Sequence, residues 1–352
     1  MTKYLYTPGP TPLPMQALLA LNEQPVYHRS NEFKQLFEVV NKGLKYVFQT
    51  EEEVYTLATS GTGIMETALV NTLSEGDEII VCGGGKFSER WFDLAICFNI
   101  KPHLINVLWG ESVSIEGILF ALSNNPNTKA ICLTHSETST GALNDIEEII
   151  LSLRKIFNGL IIIDAITSIG VHQFYFDKWG VDVAICSSQK GLMSPAGLSF
   201  ICLSKRAKSF QIQSNISKYY LDLKKYEESL KINLSPFTPA VNLIYALNQS
   251  LKLIIDESLE KVWIRHKITA DLFKSEMKKI GFEMFPNNSS NGVLTYFLPF
   301  DNFIEKLKIE TGIVVSGGQD KLKGKVFRVG NMGLTSLLDI DNIVSSIKKI
   351  LK

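Results

Sequence analysis

No stretch of the chain approaches the roughly twenty uninterrupted apolar residues that a membrane-spanning helix needs, so no transmembrane segment is expected. The opening MTKYLYTPGPTPLP lacks an apolar h-region and carries four prolines, which is not how a secretory signal peptide reads. An excess of either charge is also missing. Lys plus Arg and Asp plus Glu each number 36, and no basic run occurs, so nothing electrostatic calls for nucleic acid or a membrane surface. Cysteine is scarce and odd in number. Four of the five (Cys82, Cys132, Cys186, Cys202) sit in apolar, strand-like runs, so they read as reduced core residues of a cytoplasmic protein and not as a disulfide framework. The five histidines show no metal-ligand spacing, which argues against a bound metal. Internal repeats and low-complexity linkers are absent as well. GGGK (Gly83–Lys86) is followed by Phe87 and not by Ser or Thr, so it is neither a P-loop nor a dinucleotide fingerprint.

What is present is an ordinary globular balance, 45% apolar and 20% charged, in a chain of 352 residues. That length exceeds one compact core and implies a large domain with a smaller one. Between residues 54 and 204, short β-rich runs alternate with helical patterns: Val54–Ala58, Glu78–Cys82, His103–Val107, Ala130–Thr134, Leu160–Asp164, Val183–Ser187 and Leu198–Leu203. Several are apolar throughout, as a parallel sheet covered on both faces requires. One helical stripe runs Ile146, Ile149, Ile150, Leu153, Ile156 and Phe157, with Asn144 or Asp145 to cap its start and Gly159 its end. Such alternation predicts an α/β fold whose ligands gather beyond the carboxyl ends of the strands. After residue 255 the pattern changes to a long helix (258–279), YFLPF, a helix near 302–308, strands Ile313–Gly317 and Val326–Gly330, and a terminal helix (339–351).

Four features bear on chemistry. Lys190 closes the strand VAICSSQ amid small residues. It reads either as a solvated loop lysine or as an enclosed amine of depressed pKa, able to form an imine with an aldehyde. Asp164 ends LIIID, where a carboxylate is costly unless paired. It suits an N-cap, a buried salt bridge or a partner for a protonated pyridine nitrogen. TSGTG (Thr59–Gly63) joins a strand to a helix and is either a plain cap or a phosphate seat. Arg328, in GKVFRVG, either points outward or grips a carboxylate in bidentate fashion.

Together the segments TPGPTPLP, SGTG, GKFSERW, THSETSTG, DAITS, SSQKGLM, FTPAV and GKVFR resemble the class V, fold-type I aminotransferases that use pyridoxal 5'-phosphate (PLP). The nearest branch is that of the alanine–glyoxylate, serine–pyruvate and bacterial aspartate enzymes. The resemblance runs from residue 7 to about 333, and SQK lies 26 residues after the strand-end aspartate. It implies a mostly parallel seven-stranded sheet sandwiched by helices in a large domain (15–257), an N-terminal arm (1–14) and a small C-terminal α/β domain (258–352). It implies further that Lys190 holds PLP as a Schiff base and moves the substrate proton, and that Asp164 pairs with the pyridine nitrogen. Phe87 would stack on the ring, Ser139 would contact the side of its phenolic oxygen, and Thr62, Gly63 and Gln189 would hold the phosphate. Thr238 would reach the phosphate of a neighbouring subunit, Arg328 would bind the substrate α-carboxylate, and Gly9 would line the pocket. Sites completed from two chains imply a homodimer. Ser235 stands where some relatives have a cross-subunit tyrosine, so that role is not carried over.

The implied reaction moves an amino group from alanine, serine or aspartate to a 2-oxo acid (glyoxylate, pyruvate or 2-oxoglutarate) by a ping-pong route. Two rivals share the fold. A desulfurase-like lyase needs a mobile cysteine near the C-terminus, and none follows Cys202. A non-catalytic subunit would be marked by loss of the lysine or the aspartate. Aspartate as donor needs a second cation, which His28 and Arg29 in YHRSNEF could supply, Arg29 being the candidate reader of a distal anionic group, although a structural arginine at a subunit interface is the plainer reading.

Overall fold

In the computed structural model, which describes residues 4–352, the strand Leu160–Asp164 is buried at every position. Its Ile161 and Ile163 enter one apolar cluster, and Leu160 and Ile162 enter another on the opposite face. Val183–Ser187 divides in the same way, with Ala184 and Cys186 on one side and Val183 and Ile185 on the other. Burial on both faces is what makes these runs apolar throughout. The seven strands lie in the order Val54–Leu57, Ser199–Leu203, Val183–Ser187, Leu160–Asp164, Thr128–Thr134, Glu78–Cys82, Lys101–Ile105. All neighbours are parallel except those of Ser199–Leu203, which runs against both of its partners. Residues 188–198 are fewer than the dozen or so that a parallel crossover requires, so the chain can only return antiparallel. Lys190 lies in that short return.

The edge strand is Lys101–Ile105, two residues earlier than the apolar run 103–107 predicted. It is half-exposed and begins Lys101–Pro102, so hydrophobicity does not mark its start, and proline is tolerated because the strand has a free edge. Helix Ile146–Leu153 is capped by Asp145, which accepts from the Glu148 N–H at 3.0 Å. It stops at Arg154 and not at Gly159, because the chain must turn back into the strand that begins at Leu160. Cys82, Cys132, Cys186 and Cys202 are free and buried, while Cys97 is free and exposed.

A second core surrounds a three-stranded sheet of Ser316–Gly317, Val326–Gly330 and Val293–Phe297, in that order. Phe273, Phe303, Phe327, Tyr296, Ile340 and Ile343 fill it. The single strand predicted for 313–317 is two. Ile313–Val314 pairs parallel with Tyr4–Leu5 of the N-terminal arm, whereas Ser316–Gly317 pairs with Phe327 and Arg328. YFLPF holds only the end of a strand that starts at Val293. Helices Val241–Glu257 and Leu259–Lys279 meet at Ser258, where φ is 70°. The second helix straddles both cores: Leu259, Val262 and Trp263 pack with the large sheet, and Ala270, Phe273 and Met277 with the small one. The terminal helix Leu337–Ile350 opens on a Ser336–Asp339 capping box. Among the described residues no helix is long and apolar enough to cross a membrane.

Asp182 registers the amino ends of the central strands. It is 2% exposed, accepts from the Ile161 N–H at 2.8 Å and the Ser204 hydroxyl at 3.0 Å, and pairs with Arg154. Replacing Asp182 with Ala leaves buried donors and a guanidinium uncompensated. The expected loss in a urea unfolding experiment is about 3–5 kcal/mol. A loss indistinguishable from that of a surface substitution would show that the strand ends are held by packing alone.

Candidate active site

The return loop holds Lys190 in a tight turn. Ser188 accepts from the Ser194 N–H at 2.9 Å, Lys190 accepts from the Met193 N–H at 3.0 Å, and the Ser250 hydroxyl ties down the Met193 carbonyl at 2.9 Å. Gly191 is required here, since a Cβ would stand 2.3 Å from the Ile169 carbonyl oxygen. The N-terminal arm closes over the amine. Lys190 Nζ donates to the Pro8 carbonyl, and Thr11 donates its N–H to the Gln189 carbonyl at 3.2 Å. Gly9 adopts φ 112°, and a Cβ on it would lie 2.6 Å from Lys190 Nζ. Burial, with the nearby Arg328 cation, lowers the Lys190 amine to about 8, while Asp164 and Glu137 oppose the shift.

Asp164 ends its strand facing the same cavity, which measures about 210 Å³. It is 5% exposed, and the one hydrogen bond to its carboxylate among the described residues comes from the Ile166 N–H at 2.9 Å. Burial raises its carboxyl to about 7, with Glu137 adding to the shift and the Ile166 N–H, Lys190 and Arg90 opposing it. Gln189, Thr62 and Phe87 line the same cavity. Helix Gly61–Thr72 points its N-terminus there, and Ser60 caps it by accepting from the Gly63 N–H at 3.3 Å. Gly63 therefore spends its N–H inside the cap, and a Cβ on it would fall 2.0 Å from Thr59 Oγ1. The wall itself is formed by Gly61 and Thr62, whose N–H groups have no backbone partner among the described residues.

Ser139 departs from expectation. Its hydroxyl donates to Glu137 at 2.6 Å and accepts from the Lys86 N–H at 2.9 Å, which leaves it behind the wall. Thr138 lines the cavity instead, joined to Thr167 Oγ1 at 2.6 Å. Glu137, 2% exposed, also receives the Ser88 N–H at 2.8 Å and so caps helix Lys86–Cys97, whose N-cap residue, Gly85, has no side chain to do so. Arg328 is 4% exposed. Nε and one Nη donate to the Gly317 carbonyl at 3.0 and 2.8 Å, and the other Nη to the Thr138 carbonyl at 2.8 Å. One N–H on each Nη stays uncommitted. Arg29 and Thr238 are exposed and stand outside this cavity.

The sequence reading passed over Glu137, Thr138 and Arg90. Glu137 was signalled by a carboxylate inside the apolar-flanked SETSTG, and Arg90 by its place one helical turn after Phe87.

A family model for class-V aminotransferases matches residues 3–320. The chain belongs to that family. Among curated relatives, the soluble hydrogenase small subunit of a Synechococcus species is 37% identical over 99% of this chain and 92% of its own length. The L-aspartate–glyoxylate aminotransferase of Paracoccus denitrificans is 32% identical over 97% of this chain and 89% of its own. The solved aspartate aminotransferase of subgroup IV from Thermus thermophilus superposes with a TM-score of 0.92 at 32% identity, over 99% of both chains. Class-V membership makes the protein a transaminase, and its fold is the fold-type I architecture expected from the sequence.

The electrostatics predict how the amine titrates. Replacing Arg328 with Met removes a neighbouring cation and should move the Lys190 titration upward from about 8. Replacing Asp164 with Asn removes an anion and should move it downward. The pH dependence of Lys190 reductive methylation in the apoprotein, followed by peptide mass, reads both. Shifts of the opposite sign would refute this account of the amine.

Proposed function

We propose that the protein transfers the amino group of a small amino acid (alanine, serine or aspartate) to a 2-oxo acid (glyoxylate, pyruvate or 2-oxoglutarate), with PLP bound at Lys190. The observation that carries this reading is the pairing, in one cavity, of the enclosed Lys190 amine with a buried carboxylate that, among the described residues, has a single hydrogen bond and no ion-pair partner. A carboxylate so placed is costly unless a cation meets it. The residues present fit PLP: an amine for its aldehyde, Asp164 for its ring nitrogen, the Phe87 ring for its face, and Thr62 with Gln189 for its phosphate. When bound, PLP supplies an aldehyde and an electron-accepting ring.

The chain's own part is to bind, orient and move a proton. Arg328 offers one N–H from each Nη to a substrate carboxylate, and its position is set by the Gly317 and Thr138 carbonyls. Lys190, its amine lowered to about 8 and so able to lose its proton more readily than an ordinary lysine, would move the proton at the substrate Cα. Asp164, ionised once a cation faces it, would favour a protonated ring nitrogen. The Pro8–Gly9 arm covers the amine and limits water. Two half-reactions at one site give ping-pong kinetics.

Thr238 and Arg29 stand outside the cavity, and Met15, Leu19 and Tyr27 are exposed beside the arm. These placements support a homodimer that completes each site from two chains, with Thr238 on the partner's phosphate. The arm (1–14), large (15–257) and small (258–352) domains remain our division of the chain, and four buried free thiols favour a cytoplasmic setting. The relatives named as hydrogenase subunits favour a second reading, a subunit that keeps the fold without the chemistry. Retention of Lys190, Asp164 and Arg328 argues for the enzyme.

The visible spectrum of the purified protein distinguishes the two. A yellow band that one amino donor bleaches, and that is missing from Lys190→Ala, is the expected result. No band after PLP is supplied would leave the subunit reading standing. Arg29→Ala should raise KM for aspartate selectively, by about tenfold for one lost charge contact. Equal changes for alanine and aspartate would remove Arg29 from the substrate site.

A further inference from the structure

Arg90 has no role in the reading above, yet its environment is unusual. It lies on helix Lys86–Cys97 one turn after Phe87, with its guanidinium carbon 4.8 Å from the Phe87 ring centroid. Its Nη1 donates to Thr62 Oγ1 at 2.9 Å, and it forms no ion pair among the described residues. It lines the Lys190 cavity, and within that lining Arg90 and Lys190 are the only cations.

Charge balance gives this meaning. A phosphate monoester carries about −1.5 to −2 near neutral pH. The helix N-terminus at Gly61 and Thr62 offers the equivalent of about +0.5, and Thr62 and Gln189 are neutral. Lys190 is spent on the aldehyde. A deficit of about one positive charge remains, and Arg90 is the residue placed to meet it. We propose that Arg90 is the cation that neutralises the phosphate and, through the same guanidinium, holds Phe87 against the ring face. The assignment rests on the PLP reading of the site. A planar guanidinium can do both at once, presenting edge N–H groups to oxygen and a face to an aromatic ring.

The test compares PLP with pyridoxal, which has the same aldehyde and ring but no phosphate, by equilibrium dialysis against the apoprotein. Arg90→Gln should weaken PLP roughly ten- to hundredfold, as loss of a charged hydrogen bond does, and weaken pyridoxal, which keeps only the Phe87 contact, by much less. Equal weakening of both would mean that Arg90 only supports Phe87, which overturns the assignment, as would no weakening of either. Arg90→Lys keeps the charge and tests the same point if the glutamine variant does not fold. It should retain most of the preference for PLP over pyridoxal, and complete loss of that preference refutes the charge argument. If the unsubstituted protein takes up PLP but prefers it no more than pyridoxal, Arg90 is not a phosphate ligand. If it takes up neither, the cofactor reading itself falls and this assignment with it.

Discussion

An unpartnered carboxylate at the end of an apolar strand is the constraint around which the rest of this structure is arranged. The Asp164 carboxylate is buried and, among the described residues, accepts one backbone hydrogen bond and meets no ion-pair partner, so its presence costs folding energy. Lys190 faces the same cavity, its amine held by the Pro8 carbonyl and lowered to about 8 by burial and the nearby Arg328 cation. Each disfavours the folded chain alone, and each is relieved by a ligand that brings a cation to one and an aldehyde to the other. The large apolar sheet supplies the stability that this arrangement draws on, with cores on both of its faces.

Backbone economy then determines where the reactive groups stand. The loop 188–198 is too short to cross the sheet, so one strand runs antiparallel and Lys190 is pinned in a turn beside the carboxyl ends of the parallel strands. Gly191 lets that turn press on Ile169, and Gly9 lets the arm press on the amine. Glu137 serves in a similar way from behind the wall. By capping helix Lys86–Cys97 and holding Ser139, it sets the helix that carries Phe87 and Arg90.

Much of this was readable from residue types and order. The strand-end positions of Asp164 and Lys190, the capped turn at Thr59–Gly63 and the strand around Arg328 are local patterns, and the family's motif order named their neighbours. The errors were also local in origin. Ser139 and Thr138 are adjacent hydroxyl residues, and a motif cannot say which one turns into the cavity when a buried glutamate claims the other. The edge strand Lys101–Ile105 slipped by two residues because half-exposed strands carry a weak apolar signal.

By itself the sequence determined the α/β alternation, the doubly buried strands and the lysine–aspartate pair, because burial and turn chemistry are written in short runs of residues. Only the tertiary structure decided that Tyr4–Leu5 pairs with Ile313–Val314, that Pro8 covers Lys190, and that Arg328 is braced by Thr138 and Gly317. It also decided that Arg90 meets Thr62. These contacts join segments far apart along the chain through backbone carbonyls and single hydroxyls, groups that carry no mark of their partners in the order of residues.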